Sequence, residues 1–250
     1  MSPRLASVLA VIAALALPLV LIGNTLWLLA NPWLVDLEYA LPGFPGVYAE
    51  GPELSDELRE ELADAGIESI RPFGDDVEVL RDADLANGGP AFSLREITHM
   101  QDVRDLIGAI LRAWAIVLAL ALAACAWLAR GAGAAAVWRA LVRGSLLTVA
   151  AMGLVGILML IDFEFFFDSL HGPFFEGESW EFNETYVLRS LYPYFFWGVA
   201  GGMLAALVVL QAAALLLAAR RAGAEMPWLV AAERHRIASG HKERSGDGER

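Results

Sequence analysis

The chain has one cysteine in 250 residues, Cys125, so it can form no intrachain disulfide and its stability must come from packing. Basic residues are scarce too: 18 Lys and Arg stand against 30 Asp and Glu, a net charge of −12, which removes the basic patch that nucleic-acid binding needs. No Gly-rich phosphate loop, cysteine cluster or internal repeat occurs, and no Ser or Cys sits in a recognisable nucleophile motif. Histidine is sparse. Two of the four, His235 and His241, fall in a polar, basic C-terminal stretch with the composition of a solvated tail. That leaves His99 and His171.

What the chain has in abundance is apolar residues, 57% of the total, with a mean hydropathy of +0.52. Four runs, roughly 5–30, 106–129, 145–163 and 194–219, reach the length of about 20 residues that crosses a bilayer core. The first is long for a signal peptide, and Leu28-Leu29-Ala30 lacks the small pair of a cleavage site, so it is expected to be a span. The expected fold is therefore an all-α integral membrane protein with four transmembrane helices. Arg130, Arg139 and Arg143 occupy the 130–144 connection, and Arg220-Arg221 end the fourth run before the 220–250 tail. Cationic span ends mark the cytoplasmic side. Of the 30 acids, 25 lie in 31–105 and 162–191, segments that then face outward.

The first outward segment, 31–105, opens with Asn31-Pro32-Trp33, which ends a helix. A turn-rich stretch over 39–52 precedes a short helix from Ser55-Asp56-Glu57, with Leu54, Leu58 and Leu62 as its stripe and Gly66 as its stop. Weak alternation over 67–80 suggests a possible hairpin. The segment is too polar to fold alone and is expected to lie on the outer span ends as a small lid.

Its end carries the most informative stretch, Phe92-Ser93-Leu94-Arg95-Glu96-Ile97-Thr98-His99-Met100-Gln101-Asp102-Val103. Ser93 and Glu96 form a capping box, Phe92 is placed to staple onto Ile97, and the helix so started is expected to run into the second span. Glu96, His99 and Asp102 recur at helical spacing, setting two carboxylates near one imidazole. The second outward segment, 164–193, is the most aromatic part of the chain, and within it Asp168 again precedes a histidine, His171, by three residues. Its phenyl and indole rings read as an interfacial belt or as an apolar wall for an acyl chain. A carboxylate behind an imidazole orients a general base, but the same residue types also bind zinc, and spacing does not separate the two. A transporter usually carries ionisable groups at membrane depth, and here only Arg112 lies inside a run.

The stretch from Phe92 to Leu106, with its Glu96-Ile97-x-His99-Met100-x-Asp102-Val103 core, closely resembles the signature of the bacterial four-span membrane proteins that include the lipoprotein intramolecular transacylases (Lit). Phe163 to Phe167, the His171 stretch with Phe174-Phe175, Trp180, and Leu191-Tyr192-Pro193-Tyr194-Phe195-Phe196 resemble that family's second block. The resemblance implies acyl transfer within a diacylglyceryl-modified lipoprotein at the outer face of the cytoplasmic membrane, with membrane lipid as the surrounding partner and with neither metal nor cofactor. It also implies that His99 and His171 are catalytic. On this reading His99 is the base, supported by Asp102 or Glu96, with the reverse assignment of the two histidines left open. His171, with Asp168 near it, stabilises the oxyanion or protonates the leaving oxygen, and Phe166, Phe174, Phe175 and Trp180 bind the acyl chain. The rivals are a metal-dependent hydrolase or transferase using the same histidines and a non-enzymatic envelope protein.

Overall fold

A computed structural model describes residues 1–44, 52, 54–71, 73–175, 177 and 179–223. Residues 45–51 of the turn-rich stretch and the tail holding His235 and His241 lie outside them. The helices are α1 (Pro3–Leu29), α2 (Trp33–Tyr39), α3 (Asp56–Ile70), α4 (Leu94–Ala132), α5 (Ala134–Ile161), α6 (Phe163–His171), α7 (Val187–Leu191) and α8 (Tyr194–Arg221), with a 3-10 turn at Val77–Leu80. Helices α1, α4, α5 and α8 are long and apolar enough to cross a membrane. Their outward surfaces carry Leu15, Leu19, Ile116, Leu120, Leu154 and Leu210, each more than half exposed, as a lipid-facing surface requires. The chain is a multi-pass membrane protein.

By contact, the chain divides into two compact units. One comprises Met1–Pro18, Leu118–Val149 and the chain from Leu210 on. Its core sets Leu9 and Ala13 against Ala124, Leu128, Ala136 and Ala140, small residues that let spans approach closely. Gly144 takes this furthest: a Cβ there would stand 2.8 Å from the carbonyl of Ala14. Gly133, at φ +83°, ends α4 in the left-handed region and lets α5 start one residue later.

The other unit, Leu19–Val117 with Ala150–Val209, holds the lid. Leu62, Ala63, Ile67 and Ile70 of α3 share one core with Leu34 and Val35 of α2, Val77 and Leu80, Phe92, Ile97 and Met100 at the start of α4, and Leu191 and Phe196. So the lid shares one core with the span ends. Two contacts clamp α7 under it. Arg59 of α3, 8% exposed, donates to the carbonyl and hydroxyl oxygens of Ser190, and the Tyr39 hydroxyl donates to the Leu191 carbonyl at 3.0 Å. These carbonyls end a five-residue helix and need partners.

Three expectations are corrected. Among the described residues 67–80 forms no hairpin: α3 continues to Ile70 and a 3-10 turn follows, because Ile67 and Ile70 extend the buried helical stripe. Gly66 does not stop α3. It sits inside the helix where Tyr192 packs against it, leaving no room for a side chain, and the Tyr192 hydroxyl donates to the Ala63 carbonyl. Finally, the third run does not pass straight into a loop. Asp162, extended at φ −157°, caps a new helix by accepting the Phe165 N–H at 2.9 Å, so α6 is a separate element.

Candidate active site

His99 stands in the second turn of α4, a helix of 39 residues. At 1.5 Å per residue such a helix is roughly 58 Å long against a bilayer core of about 30 Å, so its first turns project beyond the membrane. The capping box holds that end: the Glu96 N–H donates to Ser93 Oγ at 3.3 Å and the Ser93 N–H to Glu96 Oε2 at 2.7 Å. The other oxygen, Oε1, accepts the Leu188 N–H at 2.9 Å. Glu96, 2% exposed, therefore fastens α4 to the start of α7, and both of its oxygens are engaged away from His99. Asp102 is exposed and makes no hydrogen bond to His99 among the described residues. The pairing of His99 with a helix carboxylate is thus corrected. Six residues along a helix turn about 240° net, so Glu96 and Asp102 flank the imidazole from opposite sides, one turned into the core and one to water.

The His99 ring is held by Phe175 at 5.1 Å and Phe182 at 5.2 Å between centroids. Its Nδ1 is enclosed and has no hydrogen-bond partner among the described residues. Burial, then the neighbouring His171 and Arg95, push its pKa down to about 4, so the ring is neutral at pH 7.

His171 is the last residue of α6. Its Nδ1 is 2.7 Å from the Phe167 carbonyl oxygen. A carbonyl only accepts, so Nδ1 carries the proton and Nε2 presents a lone pair. The ring is 4.0 Å from that of Phe167 and stacks on Trp180 at 5.0 Å and on Phe175 at 5.5 Å. Asp168, expected to orient it, is exposed, and its backbone carbonyl is occupied by the Gly172 N–H. The orienting group is the carbonyl four residues back, within reach because a histidine in a last turn can bond the carbonyls of that turn. Burial holds the His171 pKa below the usual value, against the smaller opposing effects of the Phe167 bond and the Asp168 charge.

The two imidazoles thus pack on the same ring, that of Phe175, although 72 positions of sequence separate them. Phe175 and Trp180 line the histidine pair. Phe166 is half-buried and Phe174 is 54% exposed, and among the described residues neither ring contacts an imidazole. Three participants were not singled out from sequence: Phe167, Phe182 and Arg95. Arg95 donates to the Glu181 carbonyl at 2.9 Å and lies over the Phe182 and Tyr186 rings, which fixes the ring behind His99. Arg95 and Phe167 each precede a histidine by four, the helical neighbour spacing that would have found them. No group of three His, Cys, Asp or Glu side chains placed to ligate a metal occurs among the described residues.

A family model described as "Lipoprotein intramolecular transacylase Lit" matches residues 11–197. An uncharacterised protein of Aquifex aeolicus (strain VF5) is 26% identical over 190 residues, covering 76% of this chain and 82% of the relative. Among solved structures, the in meso structure of the membrane integral lipoprotein intramolecular transacylase Lit from Bacillus cereus superposes with a TM-score of 0.72 at 16% identity, over 94% of this chain and all of that one. A second structure of that protein, with a histidine replaced by arginine, gives 0.67 at 16% identity over 93% of this chain and 95% of the other.

Proposed function

The chain belongs to the lipoprotein intramolecular transacylase (Lit) family, and we propose that it moves the sn-2 acyl chain of an S-diacylglyceryl lipoprotein onto the free α-amine of the modified N-terminal cysteine. The observation that carries this reading is the pair of imidazoles packed on Phe175, one with its Nε2 lone pair fixed by the Phe167 carbonyl and one neutral with a ring nitrogen that has no partner among the described residues. The product is the N-acyl S-monoacylglyceryl form.

Amine and ester belong to one molecule, so folding the head group into an attacking geometry is itself worth about 7–11 kcal/mol in favourable cases. The nitrogen adds to the sn-2 carbonyl carbon, the bond from that carbon to the glycerol oxygen breaks, and an amide replaces the ester. The proton leaving nitrogen passes to His171 Nε2 and from there to the glycerol oxygen, so one imidazole returns to its starting state each turn. No acyl-enzyme is needed.

Of the two assignments that the sequence leaves open, this is the reverse one. A base with a pKa of about 4 would take a proton from an α-ammonium of about 7.7–8.0 at a cost of about 5 kcal/mol. His171, oriented through Nδ1 and with the Phe167 bond and the Asp168 charge both opposing the effect of burial, suits the base. His99, neutral and half-buried, suits a hydrogen-bond donor to the developing oxyanion. Phe174, Phe175, Phe166 and Trp180 offer an apolar wall to the acyl chain. Arginines at 130–143 and 220–221 support a site on the extracytoplasmic side.

The test uses purified protein and a synthetic S-diacylglyceryl lipopeptide carrying ¹³C at the sn-2 acyl carbonyl. Label appearing in an N-terminal amide supports transfer. Label released as free fatty acid overturns it in favour of a hydrolase, and activity abolished by chelation and restored by zinc would support the metal-dependent alternative.

A further inference from the structure

The ring of Trp180 offers the acyl chain an apolar wall, and its polar edge is unaccounted for. The indole Nε1 is enclosed and has no hydrogen-bond partner among the described residues. An indole N–H is only a donor, and leaving a buried donor unmet costs about 1–3 kcal/mol, which is why buried tryptophans usually find an acceptor. The ring beside it does not serve. Trp180 stacks on His171 at 29° between planes and 5.0 Å between centroids, and an N–H lies in its own ring plane, so it runs alongside the imidazole and not into it. The adjacent Ser179 Oγ is likewise buried and unpartnered, as is His99 Nδ1. The Trp180 Nε1 and the His99 Nδ1 are thus two unsatisfied polar atoms at the histidine pair, whose other ring neighbours are the phenyl groups of Phe167, Phe175 and Phe182.

We propose that the Trp180 indole N–H is a catalytic hydrogen-bond donor to the carbonyl oxygen of the ester under attack, acting with His99 to hold the oxyanion while His171 moves the proton. This rests on the transacylase reading above. A donor fixed beside a site that the acyl chain seals from water costs no reorganisation as charge develops, so its bond strengthens in the transition state and shows in kcat. The stack on His171 sets its position, since the base and the oxyanion donor must reach the nitrogen and the oxygen of the same tetrahedral centre. A residue that is wall alone would act through its ring, whose removal weakens substrate binding instead.

The experiment separates ring from N–H. Trp180 is replaced by 3-benzothienylalanine, which keeps the shape and has sulfur for N–H, and in a second variant by Phe. The labelled lipopeptide assay is run on both. For the benzothienyl protein the expected result is a kcat lower by about 10²–10³ with KM within about threefold of the parent. A kcat within about threefold of the parent overturns the donor role and leaves the transacylase reading standing. A parent that moves no label to the amine overturns both. If Trp180→Phe does not accumulate, the isosteric variant alone decides.

Discussion

The Nδ1 of His171 lies 2.7 Å from the carbonyl oxygen of Phe167, one helical turn earlier, where a carboxylate was expected to do the orienting. Because that oxygen belongs to the backbone, no side-chain substitution removes it. Asp168→Asn and Asp102→Asn should then each leave lipopeptide conversion within about threefold of the parent, since both carboxylates are exposed and unbonded to the histidines. A loss of a hundredfold in either would restore that carboxylate as the orienting partner.

His99 and His171 also report on one another. Burial is the first cause of the low His99 pKa and the His171 charge the second, so replacing His171 with Asn should raise the His99 midpoint from about 4 while leaving it below 6.5. Titration of ¹³C-labelled histidine by NMR measures this. The sign for stability follows. The unfolded ring binds its proton near 6.5 and the folded one near 4, so the neutral ring's contribution is intact above 6.5 and is lost as pH falls through that window. An unmoved midpoint would mean that the two rings do not sense each other.

Much of this was legible in sequence, for identifiable reasons. Membrane spans are read from length and hydropathy because the bilayer leaves no other option, and the start of α4 was readable because Ser93 and Glu96 satisfy local donors whatever surrounds them. Helices α2 and α6 were not, being short and held by long-range contacts or by a single cap. The histidine pair could be picked out, but its geometry could not. Helical spacing put Glu96 near His99 without showing that Leu188, 92 residues away, takes its carboxylate. Likewise a carbonyl partner carries no mark in sequence, so the Phe167 bond was invisible while the Asp168 spacing looked persuasive.

Glu96 holds two backbone donors on different elements, and each such charge-assisted bond is worth about 1.5–3 kcal/mol. Glu96→Ala should therefore lower the thermal midpoint in detergent by several degrees, whereas Asp102→Ala should not move it. Equal midpoints for the two variants would contradict the clamp between α4 and α7.

Glu38 makes a separate prediction. It is fully buried in α2 with neither carboxyl oxygen partnered among the described residues, and burial raises its pKa from 4.5 to about 8. A raised carboxyl pKa gives stability that is complete below 4.5 and is lost as pH rises toward 8. The parent's thermal midpoint should fall between pH 5 and 9 more than that of Glu38→Gln. Parallel curves would show the carboxyl to be solvated.

The central claim is that two histidines from distant segments act on one ester. It is tested most directly by mass spectrometry of the N-terminal lipopeptide after incubating labelled substrate with His99→Asn and His171→Asn proteins that insert and purify like the parent. The account predicts conversion to the N-acyl form lowered by about 10²–10⁴-fold in each, with label left at the sn-2 position. Conversion at the parent's rate by either variant would contradict it and place the acyl transfer elsewhere in the chain.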